Sequence, residues 1–176
     1  HAAIQLARGG REVLVCDKGV IGEGCSTRNG GQISTSVKPS FAALAREHGV
    51  AIAFEASCGG GIPCITGLTQ GLMANRIDGL YGILNGTCNY ILRTMESTGA
   101  DFGDVLKDAQ ELGYAEADPT FDIEGVDAAH KLAILSAIAF GTALDFDAVD
   151  TSGITRISAA DIAQADALGH VIRLVG

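Results

Sequence analysis

Residues 111–135, ELGYAEADPTFDIEGVDAAHKLAIL, place a lysine where the surrounding pattern predicts a buried helix. The helix begins at the acid Asp127 and continues with Ala, Leu and Ile for more than three turns. Lys131 lies four residues after Asp127, so both side chains share one helical face. Because helical side chains lean toward the N-terminus, Lys131 points back toward an acidic loop that contains Glu116 and Asp122.

Two interpretations of Lys131 are open from chemistry alone. The first is an ordinary i,i+4 ion pair on a surface helix, which contributes about 0.3–0.5 kcal/mol. The second is a proton-transferring lysine at an interior cleft, because the helix beyond Lys131 has almost no polar face. A partly desolvated lysine in such a place suits acid–base catalysis.

The composition of the 176 residues indicates a folded globular chain. Hydrophobic residues make up 47% and charged residues 19%, which permits a packed core. The net charge is −9 and no Lys/Arg cluster occurs, so we expect no nucleic-acid partner. Five cysteines without a CxxC pair argue against a disulfide framework or zinc site and predict a reducing, cytoplasmic location. Neither a signal peptide nor a run of about 18 apolar residues occurs, so we expect no membrane association.

The order of the predicted elements indicates an α/β (α+β) fold with a mixed sheet and helices. Apolar or β-branched runs predict strands at 12–17, 51–57, 77–86, 154–158 and 170–176. Helical patterns occur at 41–49, from Pro63 onward, and at 88–97, 102–112, 128–140 and 161–168.

Several residues are predicted to define the ends of these helices. Thr87 is the predicted cap of helix 88–97, and Asp101 with Asp104 is a predicted capping box for the next helix. Gly113 and Gly141 are predicted to follow helix C-termini.

Three motifs resemble the homoserine dehydrogenase family: FEASCGGGIP (54–63), GILNGTCNYIL (82–92) and GYAEADPTFDIEGVDAAHKLAIL (113–135). They occur in order, and the resemblance extends from about residue 42 to residue 176. It implies the catalytic, substrate-binding and dimerising domain of that family, truncated at its C-terminus. It also implies the interconversion of L-homoserine and L-aspartate 4-semialdehyde with NAD or NADP, a step in threonine and methionine biosynthesis.

The same resemblance implies roles for individual residues. Lys131 matches the catalytic lysine that donates or accepts the proton at the substrate oxygen. Glu116 and Asp127 match acids that hold the substrate amino group and organise the lysine, and Asp122 belongs to the same cluster. The turn Asn85–Gly86–Thr87 matches part of the substrate site, although a plain turn and helix cap would explain these three residues equally well on sequence alone.

Two further sites are implied by this resemblance. Gly113 matches a backbone contact to the cofactor. Glu55, with the carbonyls of Cys58, Gly60 and Ile62, matches a monovalent cation site that would hold sodium. The alternative for this segment is a tight turn from strand to helix, which needs the same glycines.

Residues 1–41 resemble a different family, the FAD-dependent oxidases of the D-amino-acid oxidase type. HAAIQLARGGREVLVCDKG (1–19) and GCSTRNGGQIS (24–34) carry this resemblance. It implies a truncated, Rossmann-like βα fragment in which Asp17 meets the adenosine ribose of FAD. Residues along the flavin would be Ser26, Arg28, Asn29 and Gly30. The first strand and its glycine fingerprint do not occur here, which argues against FAD binding.

The sequence therefore predicts two segments: a truncated FAD-binding-like fragment at 1–41 and a homoserine dehydrogenase-like catalytic and dimerisation domain at 42–176. We expect a homodimer without turnover of its own, because the motifs of the family's nucleotide-binding domain do not occur in the chain. Two alternatives stay open. One is a non-catalytic dimerisation remnant in a chimeric chain, and the other is a fragment of an FAD-dependent amine or amino-acid oxidase.

Overall fold

The computed structural model describes residues 54–176, together with Arg46, Glu47 and Gly49. The chain divides into two compact units, His1–Gly67 and Leu68–Gly176. The predicted FAD-binding-like elements and the predicted boundary near residue 41 lie outside the described residues. The same holds for most of the predicted helix 41–49 and for the beginning of the predicted strand 51–57.

In the first unit, the end of the predicted strand 51–57 is not a strand. Glu55–Ser57 forms a 3-10 turn, in which the backbone N–H of Ser57 donates to the carbonyl of Phe54 at 3.0 Å. The hydroxyl of Ser57 donates to the same carbonyl at 2.6 Å. Because Ser57 satisfies that carbonyl locally, the backbone here turns rather than extends.

A glycine-rich bend then leads into a short helix. Gly59 and Gly60 have φ values of 72° and 58°, a conformation that glycine adopts without steric cost. Pro63 follows and occupies the N-cap position of α1 (Cys64–Thr66). A π-helical turn, Gly67–Gly71, comes next. The predicted helix after the glycine run is thus confirmed only as these short turns.

The second unit is built around one central helix. Its helices are α2 (Gly86–Thr98), α3 (Phe102–Glu111), α4 (Thr120–Ile123), α5 (Val126–Phe140) and α6 (Ala159–Ala167). The helix α2 packs against α3, α4 and α6, and α4 packs against α5. The predicted helices 88–97, 102–112, 128–140 and 161–168 are confirmed with small changes at their ends.

The caps of α2 and α3 differ from the prediction. The side chain of Asn85, rather than that of Thr87, caps α2 by accepting a hydrogen bond from the backbone N–H of Cys88 at 2.8 Å. Asp101 occupies the N-cap position of α3, but its side chain makes no capping hydrogen bond. The predicted capping box with Asp104 is therefore wrong.

Glycines in the left-handed region follow the helices α2, α3, α5 and α6, and another precedes α5. Gly113 follows α3 with a φ of 79°, and Gly141 follows α5 with a φ of 65°, which confirms both predicted stops. Gly125 precedes α5 with a φ of 82°. The helix α5 has 15 residues, and none of the helices in the described part of the chain combines the length and apolar character that a bilayer span requires.

The core of the second unit lies mainly between α2 and α3. Ile91, Leu92 and Met95 of α2 are fully buried, and Val105 and Ala109 of α3 pack in the same cluster. Full burial of each such aliphatic side chain contributes about 1.5–3 kcal/mol. This packing fixes α2 and therefore the position of the residue that caps it.

The predicted sheet is reduced to a single reciprocal pair within the described residues. Neither a helix nor a strand forms over 76–85 and 170–176, and no regular strand occurs anywhere in the described part of the chain. Gly82 and Gly176 exchange both backbone hydrogen bonds, each at 2.9 Å, which is the pattern of an antiparallel residue pair.

The predicted strand 154–158 is wrong. The backbone N–H of Ile157 donates to the carbonyl of Ile154 at 3.0 Å and closes a turn. Ser158 and Asp161 form a reciprocal capping box that starts α6. These local hydrogen bonds outweigh the strand preference of the β-branched residues before them.

Candidate active site

Four polar side chains of the second unit converge at the beginnings of α2 and α5. The side-chain nitrogen of Asn85 donates to Asp122 Oδ1 at 2.6 Å and to Asp127 Oδ2 at 2.7 Å. Lys131 Nζ lies 2.6 Å from the same Asp127 Oδ2. The structure therefore places Asn85, Asp122, Asp127 and Lys131, all named from the sequence, in one connected network.

This ion pair is largely removed from solvent. The side chains of Lys131 and Asp127 are 11% and 13% exposed, and Asn85 is 3% exposed. Charges at this depth lose much of their hydration, and each depends strongly on its partner. The interpretation of Lys131 as part of an ordinary surface ion pair is therefore wrong.

The turn between α4 and α5 sets the separation of the two aspartates. The left-handed conformation of Gly125 lets the chain reverse direction between Asp122 and Asp127. The backbone N–H of Ile154 donates to the carbonyl of Ile123 at 2.8 Å. A Cβ added at Gly153 would collide with the backbone next to Ile123, so the loop 151–154 packs directly against this turn.

Cys88 is a neighbour of the network that the sequence did not identify. Its Sγ donates to the backbone carbonyl of Asp122 at 3.2 Å. Burial, together with the negative charges of Asp122 and Asp127, raises the pKa of the Cys88 thiol to about 12. The thiol is therefore neutral at physiological pH and does not act as a nucleophile.

We expect Cys88 to resist alkylation by iodoacetamide at pH 8 in the folded chain. Because the folded pKa is raised from the ordinary value near 8.5, the thiolate fraction at pH 8 falls by about three orders of magnitude. Mass spectrometry of the Cys88 peptide should show labelling about a thousandfold slower than in urea. Equal rates in the folded and unfolded chain would contradict this environment, and Cys64 in the same sample controls for reagent quality.

The loop after α3 is attached to α2 beside the network. The hydroxyl of Thr87 donates to the carbonyl of Tyr114 at 3.0 Å. The rings of Tyr90 and Tyr114 stack with their centroids 4.5 Å apart. Thr87, predicted at the substrate site, therefore holds the loop that leads to Glu116.

Glu116 is a predicted substrate-binding acid that the network does not include. It is exposed, and its carboxylate makes no hydrogen bond or ion pair within residues 54–176. Its backbone carbonyl accepts a hydrogen bond from the side chain of Gln110 at 3.0 Å. The backbone around Glu116 is thus positioned, while its charge stays available at the surface.

A surface groove of about 380 Å³ begins at Gly86, next to Asn85. It runs along one face of α2 and is lined by Gly86, Asn89, Tyr90, Arg93, Thr94 and Ser97. The groove provides open space beside Gly86, the residue that the resemblance assigns to the substrate site.

In the first unit, Glu55 is engaged as a cap of α1. Its two carboxylate oxygens accept hydrogen bonds from the backbone N–H groups of Ile65 and Thr66, each at 2.9 Å, and from the Thr66 hydroxyl. The Thr66 hydroxyl, supported by these backbone groups, lowers the pKa of Glu55. Glu55 is therefore an ionised carboxylate that stabilises the positive end of a helix.

The carbonyls predicted to join Glu55 at a cation also have partners. The carbonyl of Cys58 accepts from Cys64 Sγ at 3.1 Å, and that of Ile62 accepts from the backbone N–H of Cys64 at 2.8 Å. Across the described residues, no group of three or more His, Cys, Asp or Glu side chains could hold a metal ion. Hydrogen-bonded oxygens retain lone pairs, so these contacts leave the sodium site of Glu55, Cys58, Gly60 and Ile62 a prediction.

Comparison with known proteins gives a consistent family. Residues 63–176 match the homoserine dehydrogenase family. The chain is 58% identical over 134 residues to homoserine dehydrogenase of Pseudomonas aeruginosa, and 54% identical over 133 residues to that of Neisseria gonorrhoeae. Each match covers 76% of this chain and 31% of the relative, so the chain spans about a third of the length of these relatives.

Solved structures agree with the sequence comparison. A homoserine dehydrogenase from Thiobacillus denitrificans superposes with a TM-score of 0.72 at 57% identity, covering 76% of this chain and 31% of that one. A protein described as a homoserine dehydrogenase from Archaeoglobus fulgidus gives a TM-score of 0.70 at 42% identity, covering 76% of this chain and 42% of that one. The helices that carry the network thus lie in a fold that these enzymes share.

Proposed function

This chain belongs to the homoserine dehydrogenase family, and from that premise we propose that its second unit binds the substrate and transfers the proton in an NAD(P)-dependent oxidoreductase. The reaction is the interconversion of L-homoserine and L-aspartate 4-semialdehyde. The observation that carries the proposal is the buried network in which Asn85 and Lys131 converge on Asp127.

The charges of the network suit an amino-acid substrate. Two carboxylates, Asp122 and Asp127, and one ammonium, Lys131, belong to the network, so these three side chains carry a formal charge of −1. Asp122 Oδ2 and Asp127 Oδ1 accept no hydrogen bond within the described residues, so each has acceptor capacity left for a ligand. The exposed carboxylate of Glu116 adds a third acid near this part of the chain. We assign the three acids to the amino group of homoserine.

Lys131 is the residue that we assign to the proton. Oxidation of the substrate alcohol removes a hydride from carbon and a proton from oxygen, and Lys131 accepts that proton. In the reverse direction Lys131 returns it to the oxygen of the aldehyde. Asp127 holds Lys131 in position through the 2.6 Å ion pair.

NAD or NADP, when bound, supplies the acceptor for the hydride. We assign Gly113 to a backbone contact with that cofactor, as the family resemblance implies. The motifs of a nucleotide-binding domain do not occur in these 176 residues. We therefore propose that the chain alone does not turn over.

The wider architecture is also a proposal. We assign the segments 76–85 and 170–176, which share the reciprocal pair at Gly82 and Gly176, to neighbouring positions in a mixed sheet. Residues 42–176 form the catalytic and dimerisation domain, which works as a homodimer.

Binding of L-homoserine tests the substrate assignment without a cofactor. We expect homoserine to shift the NMR signals of the Asn85 side-chain amide and the backbone amide of Cys88, because both lie at the carboxylates that receive the ammonium group. The matched control ligand is 4-hydroxybutyrate, which has the same hydroxyl and carboxylate but no amino group, and it should cause no shift.

A matched pair of variants makes this test specific. Glu116→Gln should weaken homoserine binding, because it removes one of the acids, whereas Glu111→Gln, also exposed, should not. Identical shifts from homoserine and 4-hydroxybutyrate, or binding that is insensitive to both Glu116→Gln and Asp122→Asn, would overturn the assignment.

A further inference from the structure

We infer that Asn85 is a positioning residue that keeps Asp127 aligned while Lys131 gains and loses a proton, rather than a residue that contacts the substrate. The inference rests on the proposed role of Lys131 as the proton carrier. It departs from the resemblance, which assigns the turn Asn85–Gly86–Thr87 to the substrate site as a unit.

The orientation of the Asn85 amide follows from the chemistry of its neighbours. A backbone N–H can only donate, so the group facing Cys88 N at 2.8 Å is the side-chain oxygen. Ionised carboxylates can only accept, so the nitrogen faces Asp122 at 2.6 Å and Asp127 at 2.7 Å. Both N–H bonds are therefore used inside the protein, and the residue is 3% exposed. Asn85 has no donor left for a substrate.

Asn85 and Lys131 donate to the same oxygen. Asp127 Oδ2 accepts from Asn85 Nδ2 at 2.7 Å and from Lys131 Nζ at 2.6 Å. When Lys131 gives up its proton, its hydrogen bond to that oxygen becomes weaker because the charge is lost. The amide of Asn85 does not titrate, so its hydrogen bond stays the same. Asn85 therefore donates to Oδ2 throughout the proton transfer. Asp127 stays in place, and the ion pair forms again when Lys131 is reprotonated.

The amide also keeps two like charges in one site. Asp122 and Asp127 would repel each other across the turn at Gly125, and the nitrogen of Asn85 lies between them as a shared donor. Asn85 is itself held by its cap on α2, whose Ile91, Leu92 and Met95 are buried in the core. Because core packing fixes α2, Asn85 at its N-terminus has a fixed position and holds both carboxylates by hydrogen bonds.

Two substitutions separate positioning from capping. Asn85→Asp and Asn85→Ser both retain an oxygen that can cap α2. Asn85→Asp removes both donors to the carboxylates, and Asn85→Ser replaces the two N–H donors by a single hydroxyl on a shorter side chain. The readout is the exchange of the Lys131 side-chain N–H protons with water, followed by ¹⁵N NMR without substrate or cofactor. We expect this exchange to become about tenfold faster in Asn85→Ser, because a hydrogen bond to a charged group is lost from the oxygen that orders the lysine.

Asn75→Ser is the matched control, because Asn75 is exposed and its side chain makes no hydrogen bond within the described residues. It should leave the Lys131 exchange rate unchanged. Asn85→Asp adds a third carboxylate to the site, and we expect it to unfold at lower urea concentration than Asn85→Ser although both keep the cap.

The intact chain supplies a measurement that does not depend on the variants folding. The two side-chain amide protons of Asn85 should exchange at least about tenfold more slowly than those of Asn75, since both protons of Asn85 are hydrogen bonded. Unprotected Asn85 amide protons, or an unchanged Lys131 exchange rate in Asn85→Ser, would overturn the inference. Because no ligand is present, a failure of homoserine binding is a separate result and leaves this one standing.

Discussion

Asp127→Ala is expected to lower the free energy of unfolding of this chain by about 3–5 kcal/mol, the range for breaking a buried ion pair from one side. The substitution leaves Lys131, 11% exposed, without the carboxylate that lies 2.6 Å from it. It also leaves the nitrogen of Asn85 with an unused donor in a buried position. Urea denaturation followed by circular dichroism measures the change.

The chain contains a suitable control for this result. Lys107 and Glu111 form another i,i+4 pair, at 4.0 Å, but their side chains are 76% and 67% exposed. Because solvent screens such a pair, Glu111→Ala should change stability by less than about 1 kcal/mol. Similar losses of unfolding free energy in the two variants would contradict the claim that Lys131 and Asp127 form a buried, strongly coupled ion pair.

The elements that the sequence predicts well are those with local signals. The helix α5 has an acid in its first turn, an apolar run and Gly141 at its end, and the structure confirms it over Val126–Phe140. The apolar run that forms this helix and the glycine that ends it both lie within the segment itself. The prediction of a lysine facing back toward the acids was likewise local, since the i,i+4 spacing of Asp127 and Lys131 fixes their contact.

The elements that the sequence predicts poorly depend on distant or competing partners. Residues 154–158 have β-branched side chains, but the capping box of Ser158 and Asp161 turns the chain before a strand can form. The S-x-x-D spacing was a visible signal for this turn. For 76–85 and 170–176, the strand-like residue pattern is local, but strand pairing requires partners distant in sequence. One reciprocal pair, at Gly82 and Gly176, is what these residues form.

The candidate site likewise combines features with local sequence signals and features that depend on distant residues. Asn85 and Thr87 are both good capping residues two positions apart, and no local rule chooses between them. Asn85 is the cap in a structure where its amide also meets Asp122 and Asp127, which lie 37 and 42 residues away. The burial of Cys88 against the Asp122 carbonyl is equally non-local. Such contacts follow from tertiary packing and leave no periodic trace in the sequence.

Lys131→Met is expected to have the largest effect on catalysis in an enzyme where a nucleotide-binding domain accompanies residues 63–176. It removes the group assigned to the proton and keeps an unbranched side chain of similar length in α5. Loss of a general acid–base residue lowers turnover by about 10²–10⁴-fold. The loss should appear in kcat with little change in the KM for homoserine, because the acids assigned to the amino group remain.

The most direct test is a graft of residues 63–176 into the Pseudomonas aeruginosa homoserine dehydrogenase, in place of the segment that they match. The account predicts that the graft reduces NAD or NADP in the presence of L-homoserine. It further predicts that Lys131→Met in the graft lowers kcat by at least about 100-fold, while Lys107→Met, at an exposed lysine of α3, leaves it unchanged. A graft that folds without homoserine-dependent turnover, or one in which Lys131→Met is as active as Lys107→Met, would contradict the claim that this segment carries the proton-transferring site.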